Sequence, residues 1–449
     1  MATWTAVFDD DEELGELLDL ALGDNDAIAA AAAAHKRRMA AAAAALFPQQ
    51  GGQGPGGKKE KVKEFSWAEH VRRLTETQFQ RRYRLNWRSF YKLLKIIKDD
   101  LSVKSLKLAK NGHSGWVVPD EAKLAMALRY LAGGDPKDLF LIYHVSYAYV
   151  FKCVWAVVDA INRHLKVEFP IDDGAKLATL EAEFRAKSVG GIWEGQVGAL
   201  DGVFFPMQAP SNKDVSNPLR YYVARKGYYA LLCMAVCDAE RRILDYDISQ
   251  VPTTHDSLAW SLSPLGGRVL NGELPDPYFI SGDSAFALSP SMITPSGLPE
   301  HDDYDYHQSS NRMPIECSFG IIYQRWGVLW RPLRCRFDRR APLVGACIRL
   351  HNFCIDERVS FSMRAVNGFG QVQPGRWEKM PLFDKEGRPV EQLDIERAGV
   401  TGRARDRRRA KNVRRDRLVE LVAASGIKRP ALKRGQWKKK RGGRGRRAG

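Results

Sequence analysis

Apolar residues between positions 65 and 188 recur at spacings of three and four, which is the pattern of amphipathic helices. Gly133 and Gly134 end one predicted helix, and Asp135 and Pro136 supply the N-cap and the first-turn proline of a short one. Ser146 then caps a longer helix. A short helix, a tight connection and a longer helix predict a helical, helix-turn-helix-like domain over residues 65–188.

The last of these helices has two interpretations. Near its start it exposes Tyr147, Tyr149 and Lys152, but it offers no Arg or Asn, the side chains that most often contact base edges. The helix therefore either enters a DNA groove, with Lys152 as a nucleic-acid contact, or serves for packing and homo-oligomerisation. The sequence leaves both open.

The pattern changes to strands near Gly191. Segments rich in β-branched, aromatic and apolar residues alternate with turn residues and then with helices, which predicts an α/β fold with a mixed sheet flanked by helices over residues 189–358. The longest apolar run, Tyr228 to Cys237, has ten residues, whereas a membrane-spanning helix needs about 20. We therefore expect no membrane association. The predicted strands are Ile192 to Met207, Tyr229 to Cys237, Arg242 to Ser249 and Tyr278 to Ser281.

Charge separates the two ends of the chain from its centre. Residues 1–64 are of low complexity, with alanine runs and a Gly/Gln/Pro linker, and we expect them to be disordered. Residues 359–449 are predicted to be a linker and a disordered basic tail. Residues 401–449 contain 20 Lys and Arg against three acids, which equals the whole net charge of +17. Such a tail indicates a polyanionic partner, most plausibly nucleic acid, or a nuclear import signal at Lys438, Lys439, Lys440 and Arg441.

Three acidic residues stand where a sheet would present them together. Asp201 lies inside the first predicted strand, Asp283 follows the strand that ends at Ser281, and Glu316 lies in the first turns of a predicted helix. Carboxylate oxygens are the ligands that Mg²⁺ prefers, and a pair of such ions can promote phosphoryl displacement. Each acid also has a plain structural interpretation: a turn at Asp201, a helix cap at Asp283, and an ion pair between Glu316 and Arg312.

The motifs around these acids resemble those of the PIF/Harbinger transposases, a group of the DDE endonuclease superfamily. The resemblance implies an RNase H-like fold, a catalytic and metal-binding triad of Asp201, Asp283 and Glu316, and Mg²⁺ or Mn²⁺ as cofactor. It also implies DNA cleavage at transposon ends followed by strand transfer, and often a Myb-like partner protein. The motifs, in chain order, are Gly198-Ala-Leu-Asp-Gly202, Arg225-Lys-Gly-Tyr-Tyr-Ala230, His255-Asp-Ser257, Gly282-Asp-Ser284 and Arg312-Met-Pro-Ile-Glu-Cys-Ser-Phe-Gly320.

Three further residues of these motifs have open roles. Asp256 recurs in the family and is either a further metal ligand or a helix N-cap. Arg225 and Lys226 either contact a DNA phosphate or form an exposed basic pair. In addition, Ala285-Phe286 replaces the Gly-Tyr that often follows the second acid, which changes the expected loop but removes no ligand.

Two functions of different classes follow. The first is a transposase-derived, metal-dependent DNA endonuclease that acts in the nucleus, with or without strand transfer. The second is a domesticated, catalytically inactive protein that binds DNA or chromatin. The presence of all three acids favours the first.

Overall fold

The computed structural model describes residues 65–102, 117–359 and 412–429, and its centre is a six-stranded mixed sheet. The strand order is β2-β3-β1-β5-β6, with β4 beside β3. β1 runs antiparallel to β3 and parallel to β5, and β5 runs parallel to β6. This arrangement confirms the predicted mixed sheet and is consistent with an RNase H-like fold. The strands are β1 Gln196–Pro206, β2 Tyr222–Val223, β3 Tyr228–Cys237, β4 Ile243–Asp247, β5 Phe279–Ser281 and β6 Met292–Ile293.

Helices cover both faces of the sheet, as the sequence of β3 requires. All ten residues of β3 are buried, and side chains of a strand alternate between its two faces. Cys233, Ala235 and Cys237 belong to one hydrophobic cluster, whereas Leu232 and Met234 belong to another on the opposite face. A strand without a polar face is stable only where both faces are covered.

Six helices form the predicted N-terminal helical region in the described part of the chain. Their buried side chains join those of β1, β3 and the helices near the C-terminal end of the sheet in one hydrophobic cluster. The predicted boundary near residue 188 remains a prediction, since the same cluster takes side chains from both sides of it. The helices are α1 Trp67–Arg72, α2 Glu76–Tyr83, α3 Trp87–Leu101, α4 Asp120–Leu131, α5 Pro136–Ile142 and α6 Tyr147–His164.

The short and long helices of the helix-turn-helix-like pattern, α5 and α6, meet at an angle of 103°. Asp135 caps α5, Ser146 caps α6, and Pro136 is the first residue of α5, as the sequence indicates. In the described residues no single helix is long and apolar enough to cross a membrane, although the bent pair α5 and α6 passes that test when the two are counted together.

Six more helices belong to the sheet domain and its C-terminal extension. α10 begins ten residues before the predicted start at Arg312, because its buried face there is polar, with His307, Gln308 and Asn311, and shows no hydrophobic period. Three acids in its first turn favour that start, since they face the positive end of the helix dipole. The helices are α7 Gly174–Lys187, α8 Asp256–Leu262, α9 Pro264–Leu270, α10 Asp302–Arg325, α11 Phe337–Asp356 and α12 Val413–Ser425.

The basic tail differs from its prediction in one segment. Residues 412–429, which the charge pattern assigned to a disordered tail, contain α12, and Leu418 and Val422 of this helix are buried against the sheet domain. The predictions for residues 1–64 and for Lys438 to Arg441 fall outside the described residues.

Candidate active site

The pairing of β1 with β5 brings Asp201 and Asp283 to the same edge of the sheet. Ala199 of β1 pairs with Ser281 of β5 in parallel register, and each aspartate lies two residues further along its chain. Asp201 lies within β1, so it does not belong to a turn. Parallel neighbouring strands therefore present the two carboxylates at the same level.

The loop that carries Asp283 is fixed from two sides. The side-chain amide of Gln308 on α10 donates a hydrogen bond to the carbonyl of Gly282 at 2.7 Å. A Cβ at Gly282 would lie 2.8 Å from the ring of Phe286, so this position requires glycine. Asp283 accepts a hydrogen bond from the backbone N–H of Ala285 at 2.9 Å, which forms a local turn in place of the helix cap that was the alternative.

Glu316 reaches the site from α10, and Arg312 connects it to the sheet. Glu316 lies in the fourth turn of α10 rather than in the first turns of the predicted helix, because α10 begins at Asp302. The Arg312 guanidinium donates to Oδ2 of Asp201 at 3.2 Å and also to Oε1 of Glu316. The ion pair one helical turn apart that the sequence allowed is therefore present, and it extends to the first acid.

Burial and negative charge both act on Asp201. Its pKa is raised to about 6, mainly because burial disfavours its charged form, with smaller contributions from Asp283 and Glu316. Arg312 and the N–H of Gly202 lower the pKa but do not offset the burial. Since Asp283 and Glu316 act electrostatically on Asp201, the three predicted acids form one group, and the positive charge of Arg312 balances only part of it.

Asp256 is a fourth carboxylate of the same group. Its pKa is raised, first by burial and then by the charge of Asp283, while Arg225 lowers it. The N-cap of α8 is His255, whose ring accepts from the N–H of Ser257 at 3.3 Å, so the N-cap interpretation of Asp256 is wrong. Among the described residues, no hydrogen-bond donor contacts the Asp256 carboxylate.

The donors present fit a hard divalent cation. The second oxygen of Asp283 has no hydrogen-bond partner among the described residues, and the same is true of both oxygens of Asp256. Carboxylate oxygens at a partly buried sheet edge are typical ligands of Mg²⁺. Within the described residues, however, no three His, Cys, Asp or Glu side chains stand together as a metal-binding group. In this conformation Arg312 is the cation between Asp201 and Glu316.

Sequence reasoning missed two contributions of α10. Gln308, Arg312 and Glu316 follow one another at intervals of four residues, so they share one face of the helix. Gln308 holds the Asp283 loop, and Arg312 joins the other two acids. The interval of four residues was a readable signal, but the start of α10 at Asp302 had to be known before Gln308 could be placed on it.

The predicted nucleic-acid contacts lie in two regions. Arg225 and Lys226 are exposed in the turn between β2 and β3, where the Arg225 guanidinium lies 5.4 Å from the ring centroid of Phe204. Because Arg225 also lowers the pKa of Asp256, this turn borders the carboxylate group. Lys152 is exposed on α6, and its ammonium lies 6.0 Å from the ring centroid of Tyr149.

Known proteins share this sheet and its flanking helices. Residues 200–352 match the family described as "DDE superfamily endonuclease". The chain is 26% identical over 285 residues to "Putative nuclease HARBI1" of Rattus norvegicus, which covers 62% of this chain and 79% of that protein. It is 25% identical over 288 residues to the protein of the same name from Homo sapiens, which covers 62% of this chain and 77% of the human protein. No solved structure matches.

The matched residues include Asp201, Asp283 and Glu316, and they begin inside β1 and end inside α11. The match thus covers the sheet core and all three elements that carry the predicted triad. Together with the Harbinger-type relatives, it confirms the resemblance noted in the motifs. The chain therefore carries a DDE superfamily endonuclease domain and belongs with the PIF/Harbinger-type, transposase-derived nucleases.

Proposed function

We propose that this chain is a DNA endonuclease that requires Mg²⁺ or Mn²⁺ and retains the chemistry of its transposase ancestry. The observation that carries the proposal is the joint placement of Asp201, Asp283 and Glu316 at one sheet edge, with negative charge in excess of the single cation Arg312. Groups with perturbed pKa values that cluster in this way are candidates for function. A domain of the DDE endonuclease superfamily supports the same conclusion.

Each acid has a defined role in this proposal. Asp201 and Asp283 hold the metal from the sheet, Glu316 holds it from α10, and Asp256 is a further ligand. When bound, a pair of divalent ions activates an attacking water or hydroxyl and stabilises the leaving oxygen of the phosphodiester. Gln308 positions the Asp283 loop through the Gly282 carbonyl, and Arg312 neutralises Asp201 and Glu316 while no metal is bound.

DNA recognition in this proposal uses the exposed cations. Arg225 and Lys226 contact phosphates beside the carboxylates, Lys152 contacts DNA from the helical region, and Lys438, Lys439, Lys440 and Arg441 add non-specific affinity. Strand transfer, a nuclear location, a Myb-like partner and self-association belong to the same proposal and follow from the family resemblance and the basic tail.

The alternative is a catalytically inactive DNA-binding protein, and one observation favours it. Arg312 engages two of the three acids, which is how a site without metal would be held neutral. The two functions differ in a single measurable respect, which is cleavage.

The test compares the purified full-length protein with its Asp283→Asn variant on duplex DNA that carries the ends of related transposons, with Mg²⁺ or with a chelator. We expect cleavage only with metal, and we expect Asp283→Asn to reduce its rate at least about a thousandfold, which corresponds to about 4 kcal/mol in the activation barrier. DNA affinity should be preserved, since a neutral amide at this position removes negative charge.

Asp338→Asn is the matched control. Asp338 is an exposed aspartate at the start of α11 whose partner is Arg336, so its variant should cleave like the unaltered protein. Cleavage that persists in Asp283→Asn would overturn the site. Absence of cleavage in the unaltered protein, with DNA binding intact, would favour the inactive alternative.

A further inference from the structure

A segment of the basic tail is built into the nuclease domain. Residues 412–429, here called the C-terminal strap, contain α12 and pack along α10 and the β5–β6 edge of the sheet. Leu418 and Val422 are each 3% exposed and join Trp193, Phe279 and Tyr304 in one hydrophobic cluster. Burial of two large apolar side chains per helix is enough to dock a helix of this length.

Polar contacts fix both ends of the strap. At its start, the Asn412 side-chain amide donates to the carbonyl of Ser289 at 2.9 Å, and Arg414 donates to the carbonyls of Tyr278 at 2.9 Å and Pro290 at 2.6 Å. At its end, the N–H of Arg429 donates to Asp303 at 2.7 Å. The Arg429 guanidinium also reaches both oxygens of Asp302, at 2.9 and 2.8 Å.

Acids of the sheet domain therefore pair with the arginines of the strap. Asp276 pairs with Arg414 and Glu194 with Arg417, in addition to the pair of Asp302 with Arg429. These positive charges are used within the protein, so they add little to its attraction for DNA. The remaining charge of the tail begins directly after the strap. Residues 430–449, here called the arm, contain nine Lys and Arg and no acid.

The end of the strap lies on the helix that carries Glu316. Asp302 is in the first turn of α10 and Glu316 is 14 residues further along, a distance of about 21 Å at 1.5 Å per residue. The 20 residues of the arm can span at most roughly 70 Å. An arm that starts at Arg429 is therefore within reach of any DNA that lies on the carboxylates.

We propose that the C-terminal strap anchors the arm on α10, so that the arm binds the phosphates of the DNA held by the same nuclease domain. This inference rests on the proposed function, since it takes DNA as the ligand of the site. The strap acts by shortening the tether. Lys440 is 11 residues from Arg429, but it is 81 residues from Val359, the last described residue before the strap.

The shorter tether raises the effective concentration of the arm at the DNA. Effective concentration falls roughly as the −3/2 power of tether length, so release of the strap should lower it by on the order of tenfold. The number of charges does not change on release. The salt dependence of binding, which reports the number of phosphates contacted, should therefore remain the same while the affinity falls.

The experiment uses the full chain and a charge-neutral release variant, Leu418→Gln with Val422→Gln. Its matched control is Ala424→Gln on the exposed face of α12. Hydrogen exchange of the α12 amides reports whether the strap is docked, and fluorescence anisotropy across a salt series reports the affinity for a random DNA duplex. We expect the release variant to lose protection in α12 and to bind about tenfold more weakly with an unchanged salt slope.

A chain that ends at Arg429 completes the design. It should keep α12 protected, bind more weakly and show a flatter salt slope, and adding the release substitutions to it should cause no further loss. If the double substitution prevents folding, Leu418→Ala is the milder variant, with the same two readouts.

Two results would overturn the inference: full affinity in a variant whose α12 is unprotected, or unchanged binding when the arm is removed. With metal-dependent cleavage intact, either result overturns this inference alone. A protein that neither binds nor cuts DNA overturns the proposed function as well.

Discussion

The carboxylate site and the strap interface both bring acids and arginines together, but they balance charge differently. In the strap interface, Asp302, Asp276 and Glu194 each face an arginine of the strap. In the site, Asp201, Asp283, Asp256 and Glu316 share Arg312, with Arg225 acting on Asp256 from its turn. The first arrangement is near neutrality, whereas the second is not.

This difference separates stabilising contacts from a site. Paired charges hold two elements in one position and need nothing else. Unpaired, partly buried carboxylates cost free energy unless a cation binds them, and this cost shows in the raised pKa of Asp201. A domain that keeps such a group gives up stability for the capacity to bind a cation.

The largest effect is expected from Asp201→Asn in metal-free buffer. The pKa of this carboxyl is about 6 in the folded protein, against the ordinary 3.8. The proton is therefore held more tightly in the folded state, so the contribution of this group to stability is fully present below pH 3.8 and is lost as the pH rises through 6. Asn does not ionise, so the variant should gain about 3 kcal/mol over the unaltered protein between those pH values.

Denaturant unfolding from pH 4 to pH 7 measures this difference. Asp245→Asn is a useful control, because burial and Asp247 also raise the pKa of Asp245 to about 6. It should show the same pH trend but leave DNA cleavage unchanged. A pH-independent difference for Asp201→Asn would mean that Asp201 is not held among uncompensated carboxylates.

A smaller effect should distinguish the two kinds of arginine. Arg312→Gln removes the cation between Asp201 and Glu316 and should cost about 2 kcal/mol in metal-free buffer, less than a fully buried pair because Glu316 is half exposed. Added Mg²⁺ should recover much of this loss. Arg414→Gln in the strap should also destabilise the protein, but Mg²⁺ should recover none of the loss.

Melting temperatures with and without Mg²⁺ are sufficient for this comparison. Equal recovery in both variants would indicate a general salt effect. No recovery in Arg312→Gln would mean that the arginine is a structural link between α10 and the sheet, and the comparison between the two regions would fail.

The central strands could be predicted from sequence because their chemistry is local. β3 lies within an unbroken apolar run that admits only a buried strand, and Asp201 stands inside an equally clear strand. The three acids were identified by motif. That Asp283 aligns with Asp201 depends on the pairing of Ala199 with Ser281, a tertiary property that strand patterns alone do not determine.

The remaining elements could not be predicted because polar contacts replace the hydrophobic period. The first half of α10 buries His307, Gln308 and Asn311, which read as surface residues. α12 was hidden because its segment is rich in arginine, and a charge count cannot show that Arg414 and Arg429 are paired with acids more than 120 residues earlier in the chain. For the same reason, deletion of residues 401–449 would remove part of the folded domain together with the arm.

The most direct test of the central claim is a crystal structure grown or soaked with Mn²⁺, with anomalous scattering used to locate the metal. The account predicts an anomalous peak within about 2.2 Å of carboxylate oxygens of Asp201 and Asp283, with Glu316 or Asp256 beside it and the Arg312 guanidinium displaced from Asp201. Full occupancy of the ion pairs of Arg312 with Asp201 and Glu316 at saturating Mn²⁺, with no peak at this sheet edge, would contradict it.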